Sequence, residues 1–219
     1  MARGGPTKRS VHGRSPKVLE LDMSDDDRLI PKQDEQLYLQ VLQEIYVRVE
    51  AFRAVSASTD LHGIEVGALQ LRIALELVVM GSLVTNKAQI ETITSALANK
   101  KLDQARKLAK RANPDYWPKP TAPHRQPNGT IDLRPVEGAL TEGKWERRYG
   151  ELSELLHARN PYKKSIDLDK ARERLHRIAD ELIALTNHYS VHLADRDGMM
   201  IAQITSEGPL VAHFALAGA

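Results

Sequence analysis

Hydrophobic residues recur at three- and four-residue spacings along most of this chain, and only the C-terminal segment alternates with a period of two. The stretch LYLQVLQEIYVRVEAFRAV predicts an amphipathic helix over roughly 33–56. The next stretch, Val66–Val84, is apolar nearly all round, which predicts a helix through the middle of a bundle. Arg72 and Glu76 lie four positions apart within it, so we expect them to form an ion pair. A polar lining for a site is the alternative.

Two shorter helices are predicted at about 86–98 and 101–111. The second carries a basic run, which predicts a solvated face or, alternatively, a strip that contacts phosphates. That run consists of Lys100, Lys101, Arg106, Lys107, Lys110 and Arg111, opposed by Asp103.

Residues 113–138 interrupt the helical pattern, since NPDYWPKPTAPHRQPNGT alone contains five prolines. Proline ends helices and removes backbone donors, so we predict a Pro-rich loop here. Tyr116 and Trp117 indicate that the loop packs against the rest of the protein. The sequence TIDLRPV is a candidate short strand.

Helical spacing returns in LTEGKWERRYGELSELLHARNP, which Thr141 can cap and Pro161 ends. A last helix follows in DLDKARERLHRIADELIALTNH, with Asp167 or Asp169 at its start. The period then changes to two, with turn signals at DRDG and SEGP.

The predicted fold class is mainly α, with a bundle of five to six helices over 33–188. A three-stranded antiparallel β-meander over 189–219 follows, with its second and third strands at Met199–Thr205 and Leu210–Leu216. We expect the apolar side of the meander to pack on the bundle or on a second copy. That side contains Leu210, Ala212, Phe214 and Leu216.

The absence of cysteine excludes disulfides and thiolate metal sites, and fits a reducing compartment such as the cytoplasm. The net charge of +2 hides an asymmetry, because residues 1–20 hold five Lys/Arg and one Glu, a net +4. This Gly-, Ser- and Pro-containing segment predicts a disordered basic leader over 1–32, or a loose contact with nucleic acid. The Val66–Val84 segment has the length of a membrane span, but its two charges favour a buried helix and no membrane.

Several familiar sites are excluded by the sequence, which lacks the GxxxxGK[ST], GxGxxG, GxSxG and HExxH patterns. His188 and His192 share one face of the predicted strand, without a third ligand nearby. We interpret that face as exposed and polar rather than as a zinc site. No metal and no cofactor are expected.

The stretch LLHARNPYKK carries the candidate chemistry. His157 lies near a predicted helix C-terminus, where the helix dipole favours the imidazolium. One hypothesis is a phosphodiester site with His157 as general acid or base, Arg159 and Arg148 as phosphate binders, and Asn160 as orienting group. The alternative is structural: His157 packs against the bundle, while Asn160 and Pro161 make a turn.

Three stretches of the chain, ALQLRIALELVVMGSLV, NPDYWPKP and YGELSELLHARNPY, together resemble the HEPN superfamily (higher eukaryotes and prokaryotes nucleotide-binding). The resemblance covers roughly residues 36–190 and points to an uncharacterised bacterial branch. Its most specific part is the late-helix step from Ser153 to His157.

The resemblance implies an all-helical, commonly dimeric bundle. Many active members are metal-independent ribonucleases of toxin–antitoxin, phage-defence or CRISPR systems, with an arginine followed after four to six residues by a histidine. No histidine here has that spacing: eight residues separate Arg148 from His157, and three separate Arg172 from His176.

Two functions are therefore expected. The first is an HEPN-like, RNA-directed protein, acting as a metal-independent endoribonuclease in a toxin or antiviral defence setting. The second is a non-catalytic, dimerising interaction or scaffold module. The expected partners are a second copy in a homodimer, RNA, and an antitoxin or defence protein.

Overall fold

The computed structural model describes residues 29–87, 102–127, 131–157, 166–193 and 198–215. These ranges are mainly α. Their helices are α1 (Lys32–Val55), α2 (Leu61–Val84), α3 (Leu102–Ala112), α4 (Glu142–Leu156) and α5 (Leu168–Thr186). Their strands are β1 (Lys119–Arg125), β2 (Ile131–Pro135), β3 (Tyr189–His192), β4 (Gly198–Thr205) and β5 (Gly208–Ala215). The predicted leader up to residue 28, and the helix predicted at 86–98 from residue 88 onward, lie outside the described residues.

Helix α2 occupies the centre of the bundle, as its nearly uniform apolar sequence predicts. It contacts α1, α3, α4 and α5. It begins at Leu61, earlier than predicted, because the Asp60 side chain accepts a 2.8 Å hydrogen bond from the Gly63 N–H. Length and composition alone would let α2 cross a membrane, but 56% of its most apolar window is buried inside the protein. That degree of burial is typical of a core helix.

Helix α1 packs closely on α2 and connects the bundle to the sheet. A Cβ atom at Gly81 would lie 3.1 Å from Cε2 of Tyr38, so glycine permits the close approach of the two helices. The hydroxyl of Tyr38 is hydrogen-bonded to that of Tyr189 on β3 at 2.7 Å. Burial raises the pKa of both phenols, so the pair stays neutral at physiological pH.

The sheet has five antiparallel strands in the order β2-β1-β3-β4-β5. The three predicted C-terminal strands are present as β3, β4 and β5, but the prediction of a three-stranded meander is wrong in detail. The Pro-rich segment adds β1 and β2, while Tyr116 and Trp117 are buried as predicted.

Strand β1 tolerates its prolines because it changes partner along its length. Lys119 and Pro120 pair with β3, whereas residues 121–125 pair with β2. Pro120 accepts a 3.1 Å hydrogen bond from the Val136 N–H through its carbonyl, which needs no proline N–H. The proline count therefore predicted a loop where a strand forms.

The alternation in the last strands is confirmed. Of the two packings expected for Leu210, Ala212 and Phe214, packing on the bundle is wrong, and packing on a second copy stays a prediction. Leu210 and Phe214 are 45% and 44% exposed. The register pairs Val211 with the buried Ala202, which turns Val211 inward and the neighbouring residues outward. Leu216 lies outside the described residues.

The hairpin turn and one inward side-chain contact to α1 maintain this register. A two-residue turn joins Thr205 to Gly208, whose φ of +123° favours glycine. On β5, the His213 ring lies on the inward side, with Nε2 3.1 Å from the Glu35 carboxylate of α1. The outward face of β5 is therefore left apolar.

Candidate functional site

Helix α4 carries the two described residues of the predicted phosphodiester site, Arg148 and His157. It begins after Thr141, whose hydroxyl accepts a 3.3 Å hydrogen bond from the Lys144 N–H, as predicted. It ends at Leu156, before Pro161, with His157 as an extended C-cap residue. Arg159 and Asn160 lie outside the described residues.

Arg148 is buried within a carboxylate cage formed by α4 and α5. Its Nε and Nη2 donate to the two carboxylate oxygens of Glu181, each at 2.7 Å. Its Nη1 donates to both oxygens of Glu151 at 3.1 Å. Only 5% of Arg148 is exposed, so these bonds occupy the guanidinium and hold it away from solvent.

The charges of this cage reinforce one another. The hydrogen bonds to Glu181 raise the pKa of Arg148, although burial opposes the shift. Burial would raise the pKa of Glu181, but the hydrogen bonds and charge of Arg148 outweigh it and hold that pKa below its usual range. Both groups are therefore ionised at neutral pH, as in a structural ion pair.

His157 lies apart from this cage and is exposed. Nine positions on an α-helix correspond to about 13 Å along the axis and about half a turn around it. His157 and Arg148 therefore lie on opposite sides of α4. The Ser153 hydroxyl donates to the Tyr149 carbonyl at 2.7 Å, so the Ser153-to-His157 step is a helix end rather than a hydroxyl–imidazole pair. The structure does not bring the two described candidates together.

The basic run on α3 is largely neutralised by acidic side chains. Arg106 is only 7% exposed and pairs with Asp103, Glu142 and Glu146. Lys110 reaches Glu142 at 2.9 Å. A strip of free cations for phosphate contacts is therefore not present among the described part of this run.

The predicted ion pair on α2 is confirmed, with Arg72 Nε 3.4 Å from Glu76. The Tyr149 hydroxyl joins them, since it accepts from Arg72 and donates to Glu76, both at 2.8 Å. The guanidinium also lies 4.7 Å from the centroid of the Tyr149 ring. This network fastens α4 to α2.

A broad cleft of about 950 Å³ runs along α5, opposite the segment that leads into α4. It is lined by five acidic side chains, three basic ones and His176, a formal net charge of −2 with the histidine neutral. The acidic residues are Glu137, Asp169, Glu173, Asp180 and Glu181, and the basic ones are Lys144, Arg172 and Arg177. A cleft of this sign repels a phosphodiester backbone.

Two residues of this cleft, Arg172 and His176, are spaced more closely in the sequence than the HEPN signature requires. Positions four apart on a helix share one face, and both residues line the same wall. The Arg172 guanidinium is directed to Asp169 at 2.9 Å. An arginine and a histidine one helical turn apart in the sequence are therefore the signal that indicates this shared wall.

The predicted exposed polar face of β3 is wrong. Ser190 is buried, and His188 and His192 are half-buried. His188 Nδ1 lies 3.1 Å from the carbonyl oxygen of Thr121. Within the described ranges, no group of three or more His, Asp or Glu residues is placed to hold a metal ion.

Stability is expected to fall as the pH drops from about 7 to about 5, because burial lowers the pKa of His188 and His192. In this window the unfolded chain, with histidine pKa values near 6.5, binds more protons than the folded protein. Acidification through it therefore favours unfolding. Melting temperatures at closely spaced pH values measure the slope, and His188→Gln is expected to flatten it.

His124→Gln is the matched control, since His124 is an exposed histidine on β1. It should retain the slope of the unmodified protein. A His188→Gln protein whose melting temperature depends on pH as steeply as that of the control would contradict the prediction. The assay stays above about pH 5, because at lower pH carboxylates with lowered pKa values, such as Asp115, become protonated and their ion pairs are lost.

Comparison with known proteins adds no relative: no family model, curated protein or solved structure matches this chain. The resemblance to the HEPN superfamily remains a prediction from the sequence.

Proposed function

We propose that this protein is a cytoplasmic, non-catalytic interaction module, built on a helical bundle that presents an uncharged sheet face to a protein partner. The observation that carries the proposal is the cage around Arg148. A phosphate-binding arginine must offer its N–H donors to the anion, and those of Arg148 are directed to Glu181 and Glu151.

The charges around the site support the same function. Placing a phosphodiester at Arg148 would require displacing two carboxylates and burying a new anion beside them, which is strongly unfavourable. The cleft along α5 is net acidic, and Arg106 of the basic run is held by three carboxylates. In the cleft and along α3, most described cations therefore pair with acidic side chains and do not form a row of free cations for RNA.

We expect the purified protein to leave a mixed pool of single-stranded RNA intact in the presence of a metal chelator. His157→Ala is expected to change the melting temperature only slightly, because His157 is exposed. Denaturing gels of the RNA and a thermal melt of each protein measure the two results. Metal-independent cleavage that disappears in His157→Ala would overturn the proposal.

An RNA-directed enzyme is the second candidate, favoured by one observation. Among the exposed imidazoles of the described residues, His157 lies at the end of α4 and His176 on the wall of the cleft beside Arg172. An accessible imidazole near a cation is the minimum that general acid–base cleavage of RNA requires. For this candidate, the RNA assay includes His176→Ala. Loss of cleavage in that variant alone would locate the reaction in the cleft.

A further inference from the structure

The two edges of the sheet differ in how they are protected against pairing. Strand β2 is five residues long and carries Asp132, Arg134 and Pro135, the charges and proline with which natural edge strands block pairing. Strand β5 is eight residues long, has no Lys, Arg, Asp or Glu, and has its proline only at the second position. Among the described strands, β5 pairs only with β4. Apart from Pro209 beside the turn, β5 carries none of those blocking residues.

The outward face beside this edge is also uncharged. Leu210 and Phe214 are exposed to 45% and 44%, and lie opposite Gln203 and Met199 of β4. Ile201 and Ala212 lie between these two pairs. A partner with a strong charge would find no counter-charge on this face, whereas an identical uncharged face meets it without repulsion.

An identical copy also satisfies the geometry of the edge. Two β5 strands related by a two-fold axis run antiparallel, so each can continue the ladder of the other. With the axis at Ala212, Leu210 of each copy lies opposite Phe214 of the other. Aromatic–aliphatic pairs directly opposite each other across two strands stabilise a sheet. The small Ala212 side chain lies at the axis, where the two copies approach most closely.

We infer that the partner of this module is a second copy of the chain, joined edge to edge through β5 in a two-fold, ten-stranded sheet. The inference rests on the proposed function in one respect, because it names the partner of the interaction module. The joined sheet places the Leu210–Phe214 pairs of both copies in one continuous apolar strip.

The absence of cysteine from the chain allows a direct test by cysteine crosslinking. Residues directly opposite across antiparallel strands have Cβ atoms about 4.5–5.5 Å apart, close enough to form a disulfide after a small shift. Ala212→Cys is therefore expected to form a covalent dimer on oxidation. Leu210→Cys alone is expected to stay uncrosslinked, since the two copies of position 210 would lie about 13 Å apart. Mixed with Phe214→Cys chains, it should form a covalent heterodimer.

Light scattering during gel filtration tests the same contact without cysteine. The unmodified protein is expected to elute as a dimer and Leu210→Lys as a folded monomer, because the change removes both apolar Leu210–Phe214 pairs and lysine on an edge strand opposes pairing. Leu133→Lys is the matched control: it makes the same change on the opposite edge strand, β2, and should remain dimeric. Circular dichroism verifies that each variant is folded.

A monomeric unmodified protein, or a dimer that persists in Leu210→Lys, would overturn the inference. Crosslinking of Leu210→Cys without crosslinking of Ala212→Cys would overturn the register. The RNA assay reports separately on the proposed function. If Ala212→Cys crosslinks and the protein also cleaves RNA, only the non-catalytic function is contradicted. If the protein is a monomer and leaves RNA intact, only the edge pairing is contradicted.

Discussion

Arg148→Ala is expected to lower the free energy of unfolding by about 3–5 kcal/mol, the usual cost of removing one partner of a buried ion pair. The truncation leaves the Glu181 carboxylate, only 8% exposed, without its two shortest hydrogen bonds. Lys144 lies 3.5 Å away and compensates only in part. Urea unfolding followed by circular dichroism measures the change.

Arg147→Ala is the matched control on the same helix. Its side chain is 62% exposed, and its Nε lies as far as 4.0 Å from the Glu151 carboxylate. Because so exposed and long an ion pair contributes little, truncation should change the free energy of unfolding by less than about 0.5 kcal/mol. Replacing both members of the buried pair, Arg148→Met with Glu181→Met, should recover much of the loss, since no charge is left unpaired. An Arg148→Ala protein as stable as Arg147→Ala would contradict the cage, and with it the main support for a non-catalytic role.

Trp145→Ala is expected to cost about 3–5 kcal/mol, the range for deleting a large aromatic side chain from a core. Trp145 is 4% exposed, and its Nε1–H donates a 2.9 Å hydrogen bond to the Leu75 carbonyl of α2. Its ring stacks on Tyr149 with centroids 5.0 Å apart. The substitution therefore opens a cavity between α4 and α2 and removes a bond between them.

Trp145→Phe separates packing from hydrogen bonding. It keeps most of the apolar area and loses the donor, so we expect a cost of about 1–2 kcal/mol. Urea unfolding of both variants gives the comparison. If Trp145→Phe and Trp145→Ala lower the free energy of unfolding equally, the hydrogen bond rather than the burial of the ring holds α2 and α4 together. If neither variant destabilises it, α4 does not depend on this contact.

The helices were predictable because their apolar spacing is a local signal, and α2 is the clearest case. Residues apolar on all sides must be surrounded, and four helices surround it. Thr141 was likewise predictable as a cap, because a cap depends only on residues three positions away. Of the two acidic candidates for the start of α5, Asp167 and Asp169, it is Asp167 that caps the helix.

Features that depend on distant partners were not predictable. Nothing near Arg148 in the sequence indicates that Glu181, 33 positions later, binds it. Strand β1 was missed because proline is a poor strand residue unless a neighbour happens to need only its carbonyl. The choice between the two faces of β5 depends on a hydrogen bond between His213 and Glu35, which lie 178 positions apart. Alternation alone cannot say which side faces inward.

The partner exchange within β1 also constrains the order in which a nascent chain can acquire its structure. Thr121 meets His188 across 67 positions, and α4 and α5 lie in the chain between them. On a ribosome, the β1–β2 hairpin emerges long before the strand that completes its sheet. The edge of β1 that pairs with β3 therefore has no partner strand until the last quarter of the protein is synthesised. Closing so long a loop is slow compared with forming α1 and α2, so we expect these two helices to form before the sheet is complete.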